Sequence, residues 1–452
     1  MRPDVRLLYV LIAYLLAPVV CGVMLWRGLR DRSYWRNFGE RFGFGARQSH
    51  EGSIWVHAVS VGEVQAAASL VSALRERYPQ LPLVLTTVTP TGAQRARELF
   101  RDSVVVRYVP YDLPGSVRRF FDRVQPRVAI ILETELWPTL YHECGRRRVP
   151  LVLASARISP RSVGRYRRLA GLFRETLSHG IVIAAQSEGD AERFRSIGAN
   201  PAKTHVTGNI KFDFALPPDI VARGAALRAR YAGTRPAWVA GSTHGGEEVQ
   251  VLEAHRAVRA AGHDALLVLV PRHPNRFAEV ADWLQGEGVA FMRRTDDIGK
   301  TDGPAPGNGG RRHPGGAAGA GHGDVLLVDT LGELLAFYAA SDVAFVAGSL
   351  VPIGGHNLLE PVAVGVPALT GPHVFNAEDI AQLLLDEGAA VMVQDARRLG
   401  ETVAGLLADP ARRRSIAAAG FGVLSRNRGA LARLLALLGP VIEGRDPRGR
   451  GG

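Results

Sequence analysis

The chain opens with a run, Leu7 to Trp26, that is apolar at almost every position. Twenty residues of helix just cross the hydrocarbon core of a bilayer. Arg6 marks the start of the run, and Pro18 predicts a kink within it. From Ser53 the pattern changes to short apolar runs separated by helical stretches. The runs at 54–59, 81–88, 104–109, 128–133, 149–155 and 181–186 are continuous rather than alternating. Continuous runs predict strands buried on both faces of a parallel sheet. Helical stretches at 65–78, 92–100, 115–124 and 138–147 separate them. Such alternation predicts a doubly wound α/β sheet. A connector at 214–236 carries Pro217 and Pro218, a short charged helix and then Pro236, and a second series follows at 237–242, 265–271, 290–294, 325–330, 343–348 and 366–371. Two such halves with a cleft between them form one architecture. Residues 397–440 read as helix.

The domain boundaries that follow are 1–30 for a membrane anchor, 31–213 for a first Rossmann-like domain, 214–236 for a linker, 237–425 for a second Rossmann-like domain, and 426–452 for a C-terminal helix and tail. Thr301 to Gly323 is rich in Gly and Pro without periodicity and reads as a disordered surface insertion. His313 and His322 within it are too isolated to make a metal site.

Charge and cysteine content narrow the setting. The net charge is +12, and the only lysines are Lys203, Lys211 and Lys300, so nearly all the positive charge is arginine. A basic surface favours nucleic acid, membrane headgroups or phosphorylated substrates. Nucleic acid ranks last, because the main body has no zinc finger, aromatic RNA-binding signature or concentrated basic tract. Cys21 and Cys144 give neither a disulfide framework nor metal-ligand spacing, which points to a reducing compartment. Beyond the apolar run, Arg27, Arg30, Arg32, Arg36, Arg41 and Arg47 outnumber Asp31 and Glu40. That excess holds the downstream side in the cytoplasm. Trp26, Tyr34 and Trp35 suit the interface belt. The favoured reading is an uncleaved single-pass anchor; a cleaved signal peptide and a helix lying in the interface are the alternatives.

The candidate chemistry gathers at strand ends. Strand 54–59 breaks at Ser60 and Gly62 and runs into a helix, with Glu63 in its first turn. A carboxylate there either stabilises the helix terminus or serves as a general base facing a cleft. Thr86 to Gly92 offers hydroxyls for a polar ligand or, equally, a capping motif. Glu133 and Glu135 follow strand 128–132, as caps or as functional acids, and Arg157 is an anion-contact candidate. Lys211 stands directly before the connector, a compact point charge in an arginine-dominated chain. In the second half, Gly241 to Glu248 resembles a phosphate-cradling turn but lacks both the dinucleotide fingerprint and the P-loop Lys. Pro271-Arg272 ends a strand where an Arg suits phosphate. Gly348-Ser349-Leu350 and Gly354 to Pro361 are the most distinctive stretch, with Glu360 either a ribose ligand or part of a capping box.

Together these residues carry a resemblance. W-V-H-A-V-S-V-G-E (55–63), T-P-T-G (89–92), Y-V-P-Y-D-L-P (108–114), E-T-E-L-W-P (133–138), G-N-I-K-F-D (208–213), P-R-H-P (271–274) and G-G-H-N-L-L-E-P (354–361) are similar to the bacterial 3-deoxy-D-manno-octulosonic acid (Kdo) transferases, in order and across residues 1–440. The resemblance implies a GT-B fold, two Rossmann-like domains facing across a cleft behind an N-terminal membrane-anchor helix. It implies inverting transfer of Kdo from CMP-Kdo to the lipid A precursor lipid IVA at the cytoplasmic face of the inner membrane. It matches Glu63 to the general base, and Glu133 and Lys211 to transition-state stabilisers. It matches Pro271, Arg272, Leu331, Gly332, Glu333, Leu334, Asn357, Leu358, Leu359 and Glu360 to the CMP site. No D-x-D sequence is present, so no metal is expected; Glu133-Thr134-Glu135 is the one stretch that would change this. A GT-B transferase using another nucleotide sugar and a non-enzymatic nucleotide-sugar or lipid-binding protein are the competing readings.

Overall fold

The computed structural model describes residues 3–47, 52–159, 163–164, 166, 176–177, 180–298 and 323–444. The expectations for the Gly-rich insertion, with His313 and His322, and for the tail from Arg445 lie outside the described residues. The chain divides into two compact units, Met1–Ala215 with Asn427–Gly452, and Leu216–Arg426.

The first unit is built on seven parallel strands: β1 (Ser53–His57), β2 (Leu83–Thr87), β3 (Val105–Tyr108), β4 (Pro126–Leu132), β5 (Leu151–Ala156), β6 (Val182–Ala185) and β7 (Thr204–Val206). Their spatial order is β3-β2-β1-β4-β5-β6-β7. Neighbouring residues of one strand feed two different cores. Ile54, Val56, Val128 and Ile130 enter one, which the helices Val61–Arg77 and Ala430–Ile442 close with Leu70, Leu74, Leu434 and Leu438. Trp55, Ala129 and Ile131 enter the other, closed by Val117, Phe120 and Phe121 of helix Pro114–Val124. Both faces are covered, which is why the strands read as unbroken apolar runs.

The second unit repeats the plan with β8 (Ala237–Thr243), β9 (Leu266–Pro271), β10 (Phe291–Arg293), β11 (Val325–Leu327), β12 (Val343–Val346), β13 (Ala368–Thr370) and β14 (Ala390–Met392), in the order β10-β11-β9-β8-β12-β13-β14. In each sheet the winding direction reverses once, between β1 and β4 in the first and between β8 and β12 in the second. Crevices beyond the carboxyl ends of such a pair are where open α/β sheets take ligands.

Three features differ from the sequence reading. Each sheet has a seventh strand, β7 and β14, three residues long. The connector's expected short helix is present, Ile220–Tyr231, but it belongs to the second unit, so close to Ala339 that a side chain on Gly224 would overlap it. The helical run 397–440 is three helices, Ala396–Ala408, Pro410–Asn427 and Ala430–Ile442. They are separated by Asp409-Pro410 and by Gly429 at φ +83°. Ahead of the first unit stands helix Pro3–Arg30, whose Arg6–Arg30 stretch is long and apolar enough to cross a membrane.

Candidate active site

In the first unit the site residues gather at the β1–β4 reversal. Helix Val61–Arg77 starts directly after β1 with Ser60 as N-cap, which places Glu63 in its first turn. The Val59 N–H donates to Glu63 Oε2 at 2.8 Å, and Ser60 Oγ lies 3.4 Å from Oε1. That is a variant of the capping box, with the carboxylate reaching back one residue further than usual. Burial, followed by the charge of Glu133, pushes the Glu63 carboxyl up to about 8, against the pull of the Val59 N–H and of Lys211.

Glu133 follows β4 in the left-handed region at φ +58°, a conformation costing a side-chain-bearing residue roughly 1–2 kcal/mol. Its N–H continues the ladder to Ala154 O at 3.0 Å. Lys211 Nζ donates to Glu133 Oε1 at 2.7 Å. Lys211 is presented by a 3-10 turn, Ile210–Phe212, that Asn209 caps by accepting the Lys211 N–H at 3.0 Å. Asn209 is fastened in turn to Gln186, and the Ile210 N–H to Ser155 Oγ. Glu133 and Lys211 therefore form an ion pair whose charges both act on Glu63. Glu135 is turned elsewhere, accepting from Trp137 Nε1 at 2.7 Å, and burial raises its carboxyl.

The threonine stretch serves the scaffold. Thr86 Oγ1 accepts from Trp55 Nε1 and lies 2.8 Å from His57 Nδ1. Thr87 Oγ1 donates to Val59 O, and Thr89 caps the helix Pro90–Phe100 through the Gly92 N–H. His57 is a core residue, held near neutrality by burial, which pushes its imidazole down to about 4. Thr134 donates its hydroxyl to the carbonyl of Arg157.

In the second unit the matched residues lie on loops beyond the carboxyl ends of β9, β11 and β12. Pro271 closes β9, and Arg272, bonded through its N–H to Thr243 O, carries an exposed guanidinium whose charge acts on His244, His273, His356 and Glu360. Asn357 Nδ2 donates to Glu360 Oε1 at 3.2 Å, while its Oδ1 accepts the Leu359 N–H at 3.1 Å. Burial raises the Glu360 carboxyl against those two neighbours, Asn357 and Arg272. The side chains of Leu358 and Leu359 are buried, so the core holds this loop by them. The short helix that follows runs Leu359–Ala363. Gly332 takes φ +83°, Leu331 is exposed, and Leu334 opens helix Leu334–Ala339. Glu333 is committed to structure, accepting from Arg294 at 2.7 and 3.1 Å and from Thr330.

The turn Gly241–Glu248, expected to cradle phosphate, instead supplies an acceptor, Glu247, to the Gly348–Leu350 loop. Glu247, 0% exposed at the start of helix Glu247–Ala260, accepts from the N–H groups of Gly348 (2.7 Å), Ser349 (3.0 Å) and Leu350 (3.0 Å). The N–H groups that converge on an anion are those of the loop after β12, and the anion is the protein's own carboxylate. Beside it His244 and His356 stack at 5.1 Å with their Nε2 atoms 2.9 Å apart. Burial, followed by Arg272, pushes His356 down to about 3, and burial followed by His273 pushes His244 down to about 4. Gly348, at φ +71°, is required here, since a Cβ would press on the His356 ring at 2.9 Å. Glu247, His244 and His356 lie within stretches the sequence singles out, but their pairing was not readable, because the partners lie about a hundred residues apart.

Known proteins carry the same patterns. Residues 36–214 match the family model described as 3-deoxy-D-manno-octulosonic-acid transferase (kdotransferase). A 3-deoxy-D-manno-octulosonic acid transferase of Haemophilus influenzae is 39% identical, covering 97% of this chain and 99% of that one. One of Bordetella pertussis is 40% identical, covering 94% and 96%. Among solved structures, a putative UDP-N-acetylglucosamine 2-epimerase of Listeria monocytogenes covers 88% of this chain and 98% of its own at a TM-score of 0.53; at 15% identity it is similar in fold alone.

Proposed function

The chain belongs to the 3-deoxy-D-manno-octulosonic acid transferases, and from that premise we propose an inverting transfer of Kdo from CMP-Kdo to lipid IVA. The observation that carries the proposal is the grouping of Glu63 with the Glu133–Lys211 ion pair at the β1–β4 reversal. The acceptor's hydroxyl loses its proton to the Glu63 carboxylate as its oxygen bonds to the anomeric carbon. The bond from that carbon to the phosphate oxygen breaks, and CMP leaves with the electron pair. Lys211 and Glu133 hold the electrostatics around the attacking oxygen. Arg272 supports a phosphate contact in the second unit, and the loop Asn357–Glu360 with Leu331–Leu334 supports the rest of the nucleotide. Arginine-rich flanks suit a phosphorylated lipid acceptor and the cytoplasmic face of the inner membrane.

We expect no metal requirement, since Glu133 is engaged by Lys211 and Glu135 by Trp137. A chelator should leave the transfer rate unchanged, and a rate restored only by added divalent cation would oppose this. The test of the proposal is mass spectrometry of the product formed from CMP-Kdo and lipid IVA. Lipid IVA heavier by one or more Kdo residues supports it; no product from CMP-Kdo, with product from another nucleotide sugar, overturns it.

A further inference from the structure

Helix Pro3–Arg30 is tied to the rest of the first unit near both of its ends. Near its start, the Tyr9 hydroxyl donates to Asp112 at 2.7 Å. Asp112 is itself a buried fixture, accepting the N–H groups of Thr139 and Leu140 at the start of helix Pro138–Arg147. Near its end, Trp35 Nε1 donates to Leu25 O at 3.2 Å, and a Cβ at Gly28 would overlap the Trp35 indole. Between these ends Val10, Ala13, Ala17, Cys21 and Met24 are part-buried, at spacings of three and four. That spacing is a single line down one helix face. The face away from it is bare: Leu7, Leu11, Leu15 and Val19 are 63 to 75% exposed.

From Tyr9 to Gly28 is about 28 Å of helix, close to the thickness of a hydrocarbon core. A helix crossing the bilayer would carry Tyr9 to the far side, where Asp112 and its loop cannot follow. We propose that this helix does not span: it lies in one leaflet, its lined face on the first unit and its bare face in the acyl region. Lipid is the occupant that the surroundings fit. The apolar face ends in Arg27, Arg30, Arg32 and Arg36, with Arg30 over the Trp26 ring at 4.3 Å and Arg27 over Tyr34 at 5.9 Å. Such a rim places cations and aromatic rings at the level of anionic headgroups.

The test uses the full chain with a protease-cleavable tag ahead of Met1, in sealed inverted inner-membrane vesicles and in spheroplasts. The tag is expected to be cut in the inverted vesicles and protected in spheroplasts; cutting in spheroplasts alone overturns the proposal. In parallel, the double variant L11E/L15E is expected to lose binding to phosphatidylglycerol vesicles by at least about tenfold in a flotation assay, with an unchanged thermal unfolding profile. Undiminished flotation overturns the lipid assignment. So does a lipid-free dimer of the parent chain that the same variant abolishes. No readout here involves transfer, so the result stands apart from the fate of the proposed reaction.

Discussion

Burial and the neighbouring charge of Glu133 hold a proton on Glu63 through the neutral range, while the Val59 N–H and Lys211 work to release it. If Glu63 is the base, kcat/KM for Kdo transfer should climb with pH toward an inflection near 8 in the free enzyme. A flat profile from pH 6 to 9 would count against it. Stability runs the other way. The folded state holds this proton more tightly than the unfolded chain, so the contribution is full below about 4.5 and is lost as pH rises through about 8. Removing the cation in Lys211→Ala leaves Glu133 uncompensated, and the activity inflection should move to higher pH. An unmoved inflection would mean that Lys211 does not act on Glu63. The sequence showed that Glu63 stands at a strand-to-helix junction. It could not show the competition over its proton, because Glu133 and Lys211 approach only through the fold.

At the scale of elements, strand ends were legible and strand edges were not. The runs that became β1, β4, β8 and β12 are buried on both faces and announce themselves as apolar blocks. β7 and β14 lie at the margin of each sheet with only their first residue buried, so neither reads as an apolar block buried on both faces. The Gly348–Leu350 loop shows a further limit. Its N–H groups carry no local sign of their partner, yet Glu247 from a distant element takes three of them. Replacing it in Glu247→Ala strands three N–H donors, two of them buried. The expected cost is roughly 2–3 kcal/mol, read as a lower unfolding midpoint. An unchanged midpoint would show that water or rearrangement satisfies the loop.

For the molecule as a whole, the two-unit plan followed from the repeated alternation of strand and helix, while the return of the chain did not. Residues from Asn427 rejoin the first unit, and Asp213 receives them, accepting the N–H groups of Gly429 at 2.7 Å and Leu431 at 2.5 Å. The D of the G-N-I-K-F-D stretch thus fastens helix Ala430–Ile442 beside the turn that carries Lys211, a tie that no local pattern encodes. The excess of arginine, legible from composition alone, leaves this basic molecule suited to an anionic membrane and a phosphorylated substrate. The most direct measurement is the single-turnover rate of Kdo transfer by Glu63→Gln at saturating CMP-Kdo and lipid IVA. Glutamine keeps an acceptor for the Val59 N–H but cannot take a proton. The rate should fall by about 10²–10⁴-fold with CMP binding retained; transfer at the parent rate would show that Glu63 is not the base.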